Sequence, residues 1–154
     1  MKKTRISELM SGDVKSCRAS DSMAEAARLM WEGDCGCAVV TDAEDRAVGM
    51  ITDRGLCMAA HTRGLPLADM TVAEAMSREL HACRAEDALQ TAEDLMAEKQ
   101  VRRLAVVSED GRPVGVLSLN DLARRAEREA RSRAPAVTQA EVARVLAATS
   151  QPRL

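Results

Sequence analysis

The stretch GMITDRGL at residues 49–56 aligns without a gap with the stretch GVLSLNDL at residues 115–122. Both have an opening Gly, an apolar pair, a hydroxyl residue and a closing Leu, but Asp121 of the second stretch corresponds to Gly55 of the first. The agreement extends outward at the same offset of 66 residues, so that CRASDSMAEAARLMWE from Cys17 falls on CRAEDALQTAEDLMAE from Cys83. A constant offset over about fifty residues indicates an internal duplication.

Each copy predicts the same order of elements. An apolar segment (14–17 and 80–83) precedes an amphipathic helix. Two β-branched runs follow, which are CAVVT and AVGMIT in the first copy and LAVVS and PVGVLS in the second. A closing helix begins near Asp53 or Leu119. The predicted fold class is therefore α/β of the α+β type, with two pseudo-twofold β-α-β-β-α repeats that bury one common core.

The predicted boundaries follow from turn and capping signals. Repeat one spans 6–60, a linker broken by Gly64 and Pro66 spans 61–70, repeat two spans 71–126, and a helical C-terminal extension spans 127–154. Ser or Thr followed three residues later by Glu predicts capping boxes at Ser22, Thr71 and Thr138, the last of which opens an extra helix over 139–149.

Composition excludes several classes of function. The chain has 154 residues, a net charge of −2 and a single aromatic residue, Trp31, so it offers neither a basic field nor a stacking platform for nucleic acid. No apolar run is long enough to span a membrane, and the N-terminus does not resemble a secretory signal. Five cysteines without a framework spacing are typical of a reducing compartment, so we expect a cytoplasmic protein with free thiols.

The tandem repeat, with units that close on the pattern G-h-h-[ST]-x-x-[DN]-h (h, apolar), resembles the CBS-domain pair, or Bateman module, of the stand-alone bacterial type. The resemblance covers about residues 6–126. It implies a regulatory module without catalysis, in which a cleft between the two repeats binds AMP, ADP, ATP or a related adenosyl compound, with S-adenosylmethionine and NAD as alternatives. It also implies a homodimer and a protein partner that reads the ligand state.

The resemblance assigns roles residue by residue. Asp121 would accept hydrogen bonds from the ribose hydroxyls, beside Ser118, Leu119 and Asn120 of the same loop. Repeat one would contribute Lys15 and the backbone of Cys35, Gly36 and Cys37 near the base, and Arg102 and Arg103 would reach the phosphates. Because Gly55 replaces the carboxylate in repeat one, we predict one working cleft and one degenerate cleft.

Other interpretations of the same residues remain open. Asp121 also fits a helix cap that needs no ligand, and Arg102 and Arg103 could pair with Glu98 or with a partner chain. The whole chain could then be a ligand-free dimerisation or interaction module. Cys35 and Cys37 could form a redox pair, whereas Cys17 and Cys83 fall in strands and suit buried packing. The two histidines and the scattered cysteines suggest neither a metal site nor a nucleophile with its base, so an enzyme is not predicted.

Overall fold

The computed structural model describes residues 3–152 and confirms the mixed α+β class with two repeats and a C-terminal helix. The strands form two three-stranded sheets, in the orders β1-β2-β3 and β4-β5-β6. The strands are β1 Ser16–Arg18, β2 Cys37–Thr41, β3 Ala47–Thr52, β4 Ala82–Arg84, β5 Arg103–Val107 and β6 Pro113–Ser118. The helices are α1 Met23–Glu32, α2 Asp53–Arg63, α3 Leu89–Lys99, α4 Leu119–Arg128 and α5 Gln139–Thr149.

The chain forms two compact units, which we call the repeat-one unit and the repeat-two unit. The repeat-one unit consists of residues 13–80 with 109–113, and the repeat-two unit consists of residues 3–12, 81–108 and 114–152. In the repeat-one unit β1 lies parallel to β2, and β2 lies antiparallel to β3. The predicted element order is therefore present in each repeat, but the prediction of one common core is wrong, because the buried apolar residues form a separate cluster in each unit.

The central strand of each sheet is largely buried because most of its side chains are apolar on both faces. All five residues of β2 are buried, and Leu104, Ala105 and Val106 of β5 have no exposed surface. In α1 the predicted apolar face is confirmed, since Met23, Ala26 and Met30 are buried. The corresponding positions Leu89, Ala92 and Met96 of α3 are buried in the repeat-two unit.

The short segment that precedes each repeat belongs to the unit of the other repeat. Ile6 is fully buried in the repeat-two core, and its backbone N–H donates to the carbonyl of Asp87 over 3.1 Å. Val72 is fully buried in the repeat-one core, and its N–H donates to the carbonyl of Asp21 over 2.8 Å. We call residues 6–11 and 72–77 the leader segments; the two segments are exchanged between the repeats.

The opening Gly of each quoted stretch lies where a leader segment crosses a strand. A Cβ on Gly49 would lie 2.4 Å from the carbonyl oxygen of Ser77, and a Cβ on Gly115 would lie 2.7 Å from Sδ of Met10 and 2.9 Å from the carbonyl oxygen of Ser11. Glycine is required at both positions because another backbone approaches too closely for any side chain.

The C-terminal extension is part of the repeat-two unit. The helix predicted over 139–149 is confirmed as α5, and its capping box is formed by Glu141, whose carboxylate accepts from the N–H of Thr138 over 2.6 Å. Val137 and Val145 are fully buried in the repeat-two core, and α5 packs on α3 and α4. The extension therefore covers α3 and α4. Repeat one has no helix equivalent to α5 among the described residues.

Candidate functional site

The closing loop of repeat two is organised around the Asp121 carboxylate. Its Oδ2 atom accepts hydrogen bonds from the backbone N–H and the hydroxyl of Ser118, over 2.8 and 2.7 Å. The Ser118 hydroxyl in turn accepts from the N–H of Asp121 over 3.2 Å. This reciprocal pair starts α4 as a capping box, so the prediction that Asp121 caps a helix is confirmed.

The second oxygen of Asp121 has an exposed partner. Arg124 donates from Nη2 to Oδ1 over 2.6 Å, and its side chain is 73% exposed while that of Asp121 is 11% exposed. An ion pair with so exposed an arginine contributes little to stability, so a ligand hydroxyl could replace the guanidinium at small cost. Sequence reasoning missed Arg124, although an Asp and an Arg three residues apart on a helix are a recognisable pair.

The closing loop of repeat one has the same backbone without the carboxylate. The Thr52 hydroxyl caps α2 by accepting from the N–H of Gly55 over 3.1 Å. A Cβ on Gly55 would lie 3.4 Å from Oγ1 of Thr52 and 3.6 Å from the carbonyl oxygen of Ala75, which are ordinary contacts. The difference between the two loops is therefore a missing acceptor and not a lack of room.

The residue before each middle strand lies beside the closing loop of its own repeat. The N–H of Leu119 donates to the carbonyl of Arg102 over 2.9 Å, and the N–H of Asp53 donates to the carbonyl of Gly36 over 3.1 Å. The structure thus brings Arg102 to the loop of Ser118, Leu119, Asn120 and Asp121, while Arg103 begins β5.

The guanidinium of Arg102 is held by the C-terminal extension. Its Nη2 atom donates to the hydroxyl of Ser150 over 3.1 Å. Among the residues that the structure describes, Arg102 and Arg103 form no ion pair, and Glu98 pairs with Lys99 instead. The interpretation that Glu98 neutralises these arginines is therefore wrong, because the neighbouring Lys99 takes that carboxylate. No sequence signal connected Ser150 with Arg102, since the two are 48 positions apart.

The predicted site residues of repeat one belong to the repeat-one unit. Nζ of Lys15 lies 3.2 Å from the carboxylate of Asp13, and the carbonyl of Lys15 accepts from the N–H of Val39. The thiol of Cys35 donates to the carbonyl of Cys37 over 3.4 Å, and Cys37 is buried as the first residue of β2. The predicted residues therefore fall into two sets, Lys15 with Cys35, Gly36 and Cys37 in one unit and the Ser118–Asp121 loop with the two arginines in the other.

Cys17 and Cys83 are buried in the cores of their units, which confirms the prediction that they are packing residues. Burial, reinforced by nearby carboxylates, raises the pKa of the Cys17 thiol to about 11. Burial and the charge of Asp87 raise the pKa of the Cys83 thiol to about 12. Both thiols are therefore protonated at neutral pH and are poor nucleophiles.

The repeated architecture is matched by a family model for the CBS domain, at residues 6–62 and again at residues 72–128. The chain belongs to the CBS domain family. The resemblance found in the sequence is thereby confirmed, and the chain carries a tandem pair of CBS domains. Hypoxic response protein 1 of Mycobacterium tuberculosis is 31% identical over 121 residues, which cover 79% of this chain and 84% of that protein. A CBS domain-containing protein of Bacillus subtilis is 31% identical over 118 residues, 77% of this chain and 82% of its own.

Solved CBS structures have the same fold. A CBS domain protein of Thermoplasma acidophilum matches with a TM-score of 0.78 at 20% identity, over 96% of this chain and 76% of that one. A CBS domain protein of Pyrobaculum aerophilum, solved in complex with AMP, matches with a TM-score of 0.71 at 26% identity, over 77% of this chain and 90% of that one. Hypoxic response protein 1, solved with two coordinated zinc ions, matches with a TM-score of 0.70 at 30% identity, over 79% of this chain and 98% of that one.

Residues 3–152 contain neither a metal-binding cluster nor a membrane-spanning helix. No group of three or more His, Cys, Asp or Glu side chains has the arrangement of a metal site. No helix is both long enough and apolar enough to cross a bilayer.

Proposed function

We propose that this chain is a regulatory CBS-pair module without catalysis, which binds an adenine nucleotide or a related adenosyl ligand and passes the ligand state to a partner protein in the cytoplasm. The observation that carries the proposal is the Ser118–Asp121 loop, with the backbone of Arg102 bonded to its helix start. The AMP bound by the relative from Pyrobaculum aerophilum supports the ligand class.

The chemistry of the loop suits a ribose phosphate. Oδ1 of Asp121 would exchange Arg124 for a ribose hydroxyl, while Oδ2 stays bonded to Ser118 and keeps the loop ordered. The first turn of α4 favours an anion, and Arg102 and Arg103 supply positive charge for the phosphates of AMP, ADP or ATP. Leu119 and Asn120 would line the ligand, Lys15 would contribute from the segment before β1, and the backbone of Cys35, Gly36 and Cys37 would lie near the base. S-adenosylmethionine and NAD are the alternatives.

Calorimetric titration of AMP, ATP and S-adenosylmethionine tests this proposal. Wild-type protein is expected to bind one of them at about one site per chain, and Asp121→Ala is expected to lower the affinity more than tenfold, because it removes a charged acceptor. Asp121→Asn keeps the size of the side chain but not its charge, and it should also bind more weakly.

Glu74→Ala is the matched control. The Glu74 carboxylate accepts from the N–H and hydroxyl of Thr71 and pairs with Arg63 over 2.7 Å, which reproduces the three contacts of Asp121 in the repeat-one unit. Binding should survive this substitution. If no ligand gives heat or shifts the melting temperature of the wild type, the sensor proposal fails.

The second candidate function is a ligand-free dimerisation module. It is favoured by the Asp121 carboxylate, both oxygens of which have partners within α4 and its cap. It is also favoured by Trp31 of α1, which is 88% exposed, and by Met58 of α2, which is 46% exposed. Aromatic side chains are enriched at protein contacts, so the exposed Trp31 is the candidate anchor, and a second copy of the chain is the occupant we propose.

Sedimentation equilibrium tests the dimer. We expect Trp31→Glu to weaken self-association by at least about tenfold, because it places a charge in an apolar contact. Leu146→Glu is the control, since Leu146 is also 46% exposed but lies on α5. A monomeric wild type, or equal effects of the two variants, would contradict the proposed surface.

A further inference from the structure

A carboxyl group is buried on the apolar face of α3. Glu93 is 2% exposed and is buried together with Leu89, Ala92 and Met96 of the same helix. The corresponding residue of repeat one is Ala27, which has the small apolar side chain expected on such a face. A buried carboxylate is costly unless it is paired and hydrogen-bonded.

The group that covers Glu93 is the C-terminal helix. Arg144 of α5 approaches Oε2 of Glu93 only to 4.0 Å, while its Nη2 atom lies 3.2 Å from Oδ1 of Asp94. Glu141 of α5 adds a second negative charge, and its own carboxylate is used by the cap at Thr138. Among the described residues, no donor forms a hydrogen bond with the Glu93 carboxylate, so its ionised form is poorly compensated.

The charges around Glu93 act in opposite directions, and burial decides the result. Burial, followed by Glu141, raises the pKa of Glu93, Arg144 lowers it, and Asp94 raises it again, which leaves the pKa at about 7. No described charge of α4 or β5 contributes appreciably. While α5 is packed on α3, which we call the docked state, Glu93 is therefore neutral in mild acid and becomes charged near neutral pH.

We propose that α5 is a detachable cover of the repeat-two unit, which is released from α3 when the Glu93 carboxyl loses its proton. Below the ordinary pKa of a Glu side chain the carboxyl is neutral whether α5 is docked or not, and docking is strongest. As the pH rises toward 7 the undocked form ionises first, so docking weakens, and above that pH the whole cost of a buried charge applies.

Release of α5 would also change the proposed ligand site. Two contacts tie the end of α5 to the segment before β5: Gln100 donates to the carbonyl of Ala148 over 3.4 Å, and Arg102 donates to the hydroxyl of Ser150 over 3.1 Å. Undocking would break both contacts and free the guanidinium of Arg102. This consequence depends on the proposed function, whereas the cover itself does not.

Hydrogen exchange of backbone amides tests the cover. Protection factors, which are corrected for the intrinsic pH dependence of exchange, would be measured for α5 between pH 5 and pH 8. We expect protection of α5 in the wild type to fall on the order of a hundredfold over this range, since each unit of pKa difference is worth tenfold. Val39 and Val40 of β2 serve as the internal reference, because they belong to the other unit.

The variants isolate the role of the carboxyl. Glu93→Gln and Glu93→Met both abolish titration, and α5 protection in them is expected to vary less than about threefold over the same range. Glu98→Gln is the matched control on α3, because Glu98 is exposed and paired with Lys99; it should behave as the wild type. Constant α5 protection in the wild type, an undiminished fall in both Glu93 variants, or an equal fall in β2 would each overturn the proposal.

Discussion

Replacement of Ile6 by alanine is expected to lower the free energy of unfolding by about 3 kcal/mol, although Ile6 lies near the start of the chain. Its side chain is fully buried in the repeat-two core, in the cluster that contains Leu89, Leu104 and Leu122. Truncation removes three carbon atoms from a packed site and leaves a cavity, because the backbone of the leader segment is held by hydrogen bonds to Asp87 and Ala85. Chemical denaturation followed by circular dichroism would measure the loss.

Val72→Ala is the matched control for this exchange of segments. Val72 is the offset-related residue of the second leader segment and is fully buried in the repeat-one core. Hydrogen exchange should show that Ile6→Ala reduces protection mainly in β5, and that Val72→Ala reduces it mainly in β2. The opposite distribution would show that each leader segment packs with its own repeat.

Gly49→Ala is expected to destabilise the protein by about 3 kcal/mol, because there is no space for a methyl group. The added Cβ would lie 2.4 Å from the carbonyl oxygen of Ser77 and 2.6 Å from Cε of Met76. The methionine end could move aside, but Ser77 is fixed by its backbone N–H, which donates to the carbonyl of Met50 over 2.8 Å, and by its hydroxyl, which accepts from the N–H of Met50 over 3.0 Å. Relief of the clash would therefore break hydrogen bonds between the leader segment and β3.

Thermal and chemical denaturation of three alanine variants would check this result. Gly115→Ala should behave like Gly49→Ala, since the leader segment of repeat one approaches Gly115 in the same way. Gly12→Ala should be close to neutral, because nothing lies within 4 Å of its added Cβ. A loss below about 1 kcal/mol for Gly49→Ala would mean that the crossing is looser than the structure shows.

The candidate site was predictable in its chemistry and not in its contacts. The comparison of Asp121 with Gly55 identified the residue that distinguishes the two closing loops, and both possible roles of Asp121 followed from its position at a helix start. The ion pair of Asp121 with Arg124 is predictable from their spacing of three residues on a helix. The hydrogen bond from Arg102 to Ser150 is not, because it joins residues that only folding brings together. Whether Asp121 serves a ligand remains a proposal that the titration decides.

The sequence by itself determined the duplication, the order of elements, the capping boxes at Thr71 and Thr138, and the helix of the C-terminal extension. These features depend on spacing within one repeat or one turn, which a linear pattern records directly. Only the tertiary structure decided which core each leader segment joins, and that α5 covers α3 and buries Glu93. Ile6 and Val72 occupy offset-related positions and would suit either core by hydrophobicity alone. The exchange is visible only in contacts between residues distant in the chain, such as the approach of Ser77 to Gly49 and of Ser11 to Gly115, and a linear pattern does not record such contacts.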